Sequence, residues 1–258
     1  GQSGLGYLYI EGLGVSQDYQ QAFKWYRQAA EQGDVDGQSS LGYLYTEGLG
    51  VPRDYQLAAK WYRQAAELGD VNGQSGLGYL YIEGLGVPQD YQLAFKWYQQ
   101  AAKQGDVDGQ SALGYLYTEG LGVPRDYQQA FKWYRQAAEQ GDVDGQSGLG
   151  YLYTEGLGIS QDYQSAIKWY RQAAEQGDVD GQSGLGYLYA EGLGVSQDYQ
   201  LAAKWYHQAA KQGDSDAQSS LGYLYAEGLG VPQDYRHAEK WYRQAAEQGD
   251  ENGQSGLG

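Results

Sequence analysis

Along this chain the clearest order is helical. In Asp18-Tyr-Gln-Gln-Ala-Phe-Lys-Trp-Tyr-Arg-Gln-Ala-Ala-Glu-Gln32, the residues Ala22, Trp25, Tyr26, Ala29 and Ala30 stand at i, i+3, i+4, i+7 and i+8. That spacing draws an apolar stripe down one face of a helix. Ser16 lies just ahead, and Pro52, Pro88, Pro124, Ser160, Ser196 and Pro232 hold the same place further on, where a helix start tolerates proline. Gly33 follows the stripe as its C-terminal stop. A second, weaker pattern spans Asp36 to Glu47, with Leu41, Leu44 and Tyr45 as its apolar edge. Asp34 or Asp36 can cap its first turn, Gly48 ends it, and Gly-Leu-Gly-Val turns the chain. In one copy this segment carries Gly73, Gly76 and Gly78, each costing about 1 kcal/mol against alanine in a helix. Such a helix does not survive alone. Glycine is useful there if two helix backbones approach closely, and a single excised unit is predicted to be unfolded.

The two patterns alternate with a fixed period of 36 residues, in copies at 1–36, 37–72, 73–108, 109–144, 145–180, 181–216 and 217–252, and residues 253–258 open an eighth. Twenty-two of the 36 positions are identical in all seven copies. A period of this length marks a solenoid, in which each unit buries its apolar faces only against its neighbours. We therefore expect an all-α chain, residues 1–258 forming a single array of seven helix-turn-helix repeats. The recurring aromatics Tyr9, Tyr19 and Trp25 are expected to fill the space between repeats. The sequence starts at Gly1 without methionine and stops at the same phase of the repeat, which suggests an excised piece, a processed chain or a consensus design. Arg236, His237, Glu239 and Glu251 make repeat seven more polar than the others, as a terminal repeat needs to be. Repeat one has no comparable polar face.

Composition narrows the function. A net charge of −16 with 17 basic residues argues against nucleic acid, whose phosphates require clustered Lys and Arg. No apolar run approaches the roughly 20 residues of a membrane span. With no cysteine, disulfides, thiolate metal sites and cysteine nucleophiles are excluded together. His207 and His237 occupy different repeat positions and read as exposed helix residues. Asp34-Val35-Asp36-Gly37 superficially suggests a calcium loop, but Gln38 and Tyr45 stand where ligands are needed. Gly-Leu-Gly-Val lacks the lysine of a phosphate loop. No catalytic, cofactor or metal constellation is expected.

The residues Leu41-Gly42, Leu44-Tyr45, Gly48, Gly50-Val51, Asp54, Ala58, Trp61-Tyr62, Ala65-Ala66 and Gly69-Asp70 together resemble the Sel1-like repeat, a relative of the tetratricopeptide repeat. The resemblance covers all seven copies. It implies a right-handed α-solenoid superhelix acting as a non-catalytic adaptor that holds proteins together, and it leans toward a bacterial periplasmic or extracellular setting. Glycine at Gly1 and Gly4, where the family commonly has alanine, departs from the pattern and is expected to tighten curvature.

In such arrays the first helix lines the concave side. Projecting its remaining positions puts Ser3, Tyr7, Ile10 and Glu11 there, with their equivalents. Tyr7, Tyr43, Tyr79, Tyr115, Tyr151, Tyr187 and Tyr223 then form a row beside Glu11, Glu47, Glu83, Glu119, Glu155, Glu191 and Glu227. The intervening position varies (Ile10, Thr46, Ile82, Thr118, Thr154, Ala190, Ala226), as expected of a loosely constrained surface. Tyrosine offers rigid amphipathic contact area. The partner expected for this acidic, tyrosine-lined groove is a protein or peptide that is basic or bears aromatics. The alternative is a structural subunit: near-identical repeats permit head-to-tail self-association into a filament.

Overall fold

The structure, a computed structural model, describes all residues 1–258 and is entirely helical. The first helices of the repeats are α1 (Gln2–Glu11), α3 (Val35–Glu47), α5 (Val71–Glu83), α7 (Val107–Glu119), α9 (Val143–Glu155), α11 (Val179–Glu191) and α13 (Ser215–Glu227). The second helices are α2 (Tyr19–Glu31), α4 (Tyr55–Glu67), α6 (Tyr91–Lys103), α8 (Tyr127–Glu139), α10 (Tyr163–Glu175), α12 (Tyr199–Lys211) and α14 (Tyr235–Glu247), and α15 (Glu251–Gly256) begins an eighth repeat. The chain divides into two compact units, Gly1–Asp126 and Tyr127–Gly258. Within each unit a first helix packs on its own second helix, on the second helix before it and on neighbouring first helices. This is an α-solenoid of helix-turn-helix repeats.

Local chemistry fixes both ends of the helices that follow α1. The Asp18 carboxylate accepts from the Gln20 and Gln21 amides and starts α2, and Asp34 accepts from Gly37 to start α3. These bonds satisfy donors that the first helical turn leaves orphaned. Proline lies two residues ahead of the capping aspartate, as in Pro52 and Asp54, so it stiffens the approach rather than occupying the first helical position. At the end of α2, Gly33 N–H reaches Ala30 O and Asp34 N–H reaches Ala29 O, the paired closure that a left-handed Gly33 permits. Gly48 ends α3 in the same conformation at φ 71°. Gly50, also left-handed, lies so close to the preceding repeat that a Cβ would collide with the Tyr19 carbonyl.

The core is small and layered. Leu41, Leu44 and their counterparts in the later repeats are fully buried beside alanines such as Ala22, Ala29 and Ala30. Tyr26 and its equivalents supply the bulk: Tyr26, Tyr62, Tyr98, Tyr134, Tyr170, Tyr206 and Tyr242 are all buried. Each ring lies against a glycine of its own first helix. A Cβ at Gly42 would stand 2.7 Å from the Tyr62 ring, and one at Gly150 2.5 Å from Tyr170. Glycine thus serves close helix approach in two ways: at Gly37 the neighbour is the backbone of α2, with Ala30 N 2.9 Å from such a Cβ, whereas at Gly42 it is an aromatic ring.

Tyr9, Tyr19 and Trp25 are half-buried rather than core residues. The reason is their place at the seams between helices. Tyr45 meets Phe23 edge-on at 5.5 Å, and the indole of Trp61 carries the Lys60 ammonium 5.2 Å from its centroid. Repeat position one admits alanine as well as glycine, since Ala217 sits there fully buried. At the start of the chain Leu5 is 39% exposed, where its counterpart Leu41 is 1% exposed. Leu41 is covered by the second helix of the preceding repeat.

Candidate interaction surface

On a first helix, tyrosine and glutamate four residues apart lie one turn from each other on the same face. The seven tyrosines, four in the first unit (Tyr7, Tyr43, Tyr79, Tyr115) and three in the second (Tyr151, Tyr187, Tyr223), are 43–52% exposed. Glu11, Glu47, Glu83, Glu119, Glu155, Glu191 and Glu227 are exposed as well.

The electrostatics around three of these tyrosines define the repeating motif. Partial burial raises the Tyr79 phenol pKa, Glu83, Tyr55 and Glu47 add to the rise, and Arg53 opposes it. Tyr115 is raised in the same order by burial, Glu119, Tyr91 and Glu83. Tyr187 is raised by burial, Glu191, Glu155 and Tyr163. Each of these three tyrosines therefore has a carboxylate on its own helix, another from the repeat before, and a second tyrosine from the start of the preceding second helix. The phenols remain protonated at neutral pH, so the surface presents hydroxyl donors, aromatic faces and unneutralised carboxylates together. That combination favours cations, through charge and through the aromatic quadrupole.

The half-buried Tyr55, Tyr91 and Tyr163 belong to this motif and were assigned to the core by the sequence pattern. Their spacing from the Ala22-type stripe is correct for burial. They stand at the first position of the helix, however, where packing from the next layer no longer covers them. Their place directly after the capping aspartate is the signal that marks them.

Two other positions projected onto this face lie inside instead. Ser39, Ser111, Ser147 and Ser219 are buried, and this position ties neighbouring first helices together: Ser75 Oγ donates to Asp106 Oδ2 at 2.8 Å and Ser183 Oγ to Asp214 Oδ1 at 3.1 Å. Thr46, Thr118, Thr154 and Ala190 are buried too. The Thr46 hydroxyl donates to Gly42 O at 3.0 Å and reaches the Tyr62 phenol, whose pKa burial pushes up to about 12 despite that bond. The variable position is thus the seat of a buried phenol, and its range of residues reflects what fits beneath a ring.

A further set of side chains ties the first helix of a repeat to the end of its own second helix without being evident beforehand. Gln104 Nε2 donates to Gln74 Oε1 at 2.9 Å in the first unit. In the second unit Gln176 donates to Gln146, Gln212 to Gln182 and Gln248 to Gln218, at 2.8 to 2.9 Å. Gln74, Gln146, Gln182 and Gln218 are buried. A glutamine identical in every copy, in a helix already rich in polar residues, was the available clue.

No group of three or more His, Asp or Glu side chains is arranged to hold a metal ion, and no helix is long and apolar enough to cross a membrane. His207 is half-buried, its ring 6.0 Å from that of Trp241 and edge-on to it, not exposed as expected. Burial, Lys211 and Lys240 all lower its pKa.

The fold and this surface define a helical repeat protein that presents exposed tyrosines and glutamates on the first helices of each unit. Comparison with known proteins makes the class specific. The Sel1 repeat matches residues 1–34, 35–70, 71–106, 107–142, 143–178, 179–214 and 215–250, and the chain belongs to the Sel1 repeat family. Among solved structures, it is similar to a protective antigen present in uropathogenic Escherichia coli strains that displays an SLR fold, at 44% identity and a TM-score of 0.78. That match covers 99% of this chain but 55% of the antigen. A Sel1 repeat protein from Oxalobacter formigenes is 37% identical with a TM-score of 0.74, over 99% of this chain and 74% of that one. None of the curated proteins matches. Sel1 repeat proteins are generally protein-interaction scaffolds and are typically non-catalytic.

Proposed function

We propose that this chain is a non-catalytic scaffold whose first-helix face, lining the concave side of the array, captures a basic or aromatic-bearing segment of a partner protein. The observation that carries the reading is the set of exposed tyrosines, of which Tyr79, Tyr115 and Tyr187 each lie near two carboxylates. Exposing so much aromatic surface at equivalent places is costly unless a partner covers it, and tyrosine is favoured at binding hot spots. The surrounding glutamates select against acidic partners and accelerate encounter with basic ones.

The test uses a fluorescent peptide of alternating Lys, Tyr and Ser as probe, with anisotropy as readout. Changing Tyr43, Tyr79 and Tyr115 together to Ala should weaken binding by about tenfold or more, with helical circular dichroism unchanged. Changing Glu47, Glu83 and Glu119 to Gln should flatten the dependence of affinity on salt. Equal binding by the tyrosine variant would sink the proposal.

A second reading, end-to-end association, is favoured by the near-identity of the repeats, 22 of whose 36 positions are the same in every copy, which permits a heterologous contact between copies of the chain. Light scattering separates the two readings: mass rising with concentration supports assembly, and constant mass overturns it.

A further inference from the structure

Between repeats six and seven lies a shallow hollow of about 330 Å³, on the seam between second helix and following first helix rather than on the tyrosine row. Ala203, Leu221 and Val231 form its apolar floor, Tyr225 one wall, and Lys204 and His207 part of its rim. The other repeats show what belongs there. At the position of Ala203, repeats one, three and four carry Phe23, Phe95 and Phe131. Each of those rings meets the next repeat's tyrosine edge-on, at 5.5 Å from Tyr45, 5.4 Å from Tyr117 and 5.7 Å from Tyr153. Those phenylalanines are half-buried, as a ring lying in an open hollow would be. Repeat two also has alanine, Ala59. There Arg63 Nη2 donates to the Tyr81 hydroxyl at 3.0 Å, and Tyr81 is buried.

Repeat six loses that arrangement through two substitutions. Histidine replaces the arginine, and His207 turns to Trp241. On the far side, Tyr225 stacks on His237 at 5.2 Å with the rings 23° apart, and His237 Nδ1 is held 2.7 Å from Asp234 Oδ2. Tyr225 is thereby half-buried against His237. One cation, Lys204, lines the hollow in a chain of net charge −16. Lys211, where five of the seven repeats carry glutamate, and Lys240 lie near enough to add to the lowering of the His207 pKa that burial begins.

We propose that this hollow is a binding site for an aromatic side chain flanked by a carboxylate, presented by a partner peptide. The ring takes the place that Phe23, Phe95 and Phe131 fill from within the chain, edge-on to Tyr225. The carboxylate faces Lys204. The site differs in position and in charge preference from the first-helix face, so its fate is independent of that of the proposed function.

The probe is N-acetyl-L-phenylalanine, titrated into the 258-residue chain with Tyr225, Leu221 and Val231 followed by NMR. Saturable shifts at these residues with a dissociation constant on the order of a millimolar are expected, as are weaker shifts with N-acetyl-L-phenylalaninamide and with N-acetyl-L-leucine. Ala203→Phe plugs the hollow from inside and should abolish the shifts while preserving the helical spectrum and melting temperature. Lys204→Gln should weaken the acid probe several-fold and leave the amide probe unchanged. Absence of saturation, equal binding by the Ala203→Phe chain, or equal affinity for the leucine derivative would each overturn the proposal.

Discussion

Gln38 Oε1 is buried without a hydrogen-bond partner, and the cause is a single residue at the end of the second helix of the same repeat. Wherever the glutamine bridge is present, the donor lies 30 residues beyond the acceptor, as Gln104 does from Gln74. Thirty residues beyond Gln38 stands Leu68, the only copy of that position that is not glutamine, and it is 63% exposed. Two unfavourable exchanges therefore meet at one site: a buried acceptor has lost its donor, and an apolar side chain faces water. Leu68→Gln should restore the bridge and stabilise the chain by about 1 kcal/mol, read as a higher urea midpoint. The mirror change Gln104→Leu should orphan Gln74 and cost about 1–3 kcal/mol. An unchanged midpoint for both would mean that water or side-chain rearrangement satisfies the amide.

Helix starts carry a second consequence. Each first helix from α3 onward is opened by a capping aspartate, and stacking the repeats places these carboxylates near one another. The Asp178 pKa is raised from 3.8 to about 6, chiefly by burial, with Asp180 and Asp144 adding and the Gly181 amide and Ser147 hydroxyl opposing. Asp180 and Asp216 are raised as well, again first by burial and then by neighbouring aspartates. A folded-state pKa above the unfolded value means that protonation favours folding. The contribution is fully present below 3.8 and is lost as pH rises through about 6. Urea stability should therefore increase as pH falls from about 7 to about 5, the reverse of ordinary acid denaturation. Asp178→Asn keeps a good cap and should reduce that slope, whereas an unaltered slope would place its origin elsewhere.

The same elements show where sequence reasoning reads well. The second helices were legible because one face alone is apolar: Ala22, Tyr26, Ala29 and Ala30 are all buried where the stripe puts them. The first helices are packed on several sides, by two second helices and by their own kind, so no single stripe describes them. Ser39 and Thr46 are buried for that reason although a one-faced projection assigns their positions to the surface. Gly42 is likewise intelligible only once the Tyr62 ring is beside it. The exposed tyrosine and glutamate positions were visible in the sequence, but the second tyrosine beside each, such as Tyr55 next to Tyr79, comes from another repeat and requires the packing.

For the whole molecule, stability follows from how short-ranged these contacts are. A solenoid's free energy is close to a sum of repeat terms and nearest-neighbour interface terms. The repeat term is unfavourable here, because a first helix such as α5 contains Gly73, Gly76 and Gly78, at roughly 1 kcal/mol each against alanine. The interface term reverses the balance: Tyr62 meets glycine on both sides, at Gly42 in its own repeat and at Gly76 in the next, and Leu41 is covered only when a preceding second helix is present. Residues 37–72 alone are therefore expected to be unfolded by circular dichroism. Residues 1–126, which form one compact unit, contain several such interfaces and should fold with a cooperative urea transition. Residues 124–258 should do the same, retaining Asp126 ahead of α8. Helix in the isolated repeat would show that local propensity outweighs its glycines. Disorder in both longer pieces would show instead that stability depends on contacts reaching beyond the adjoining repeat.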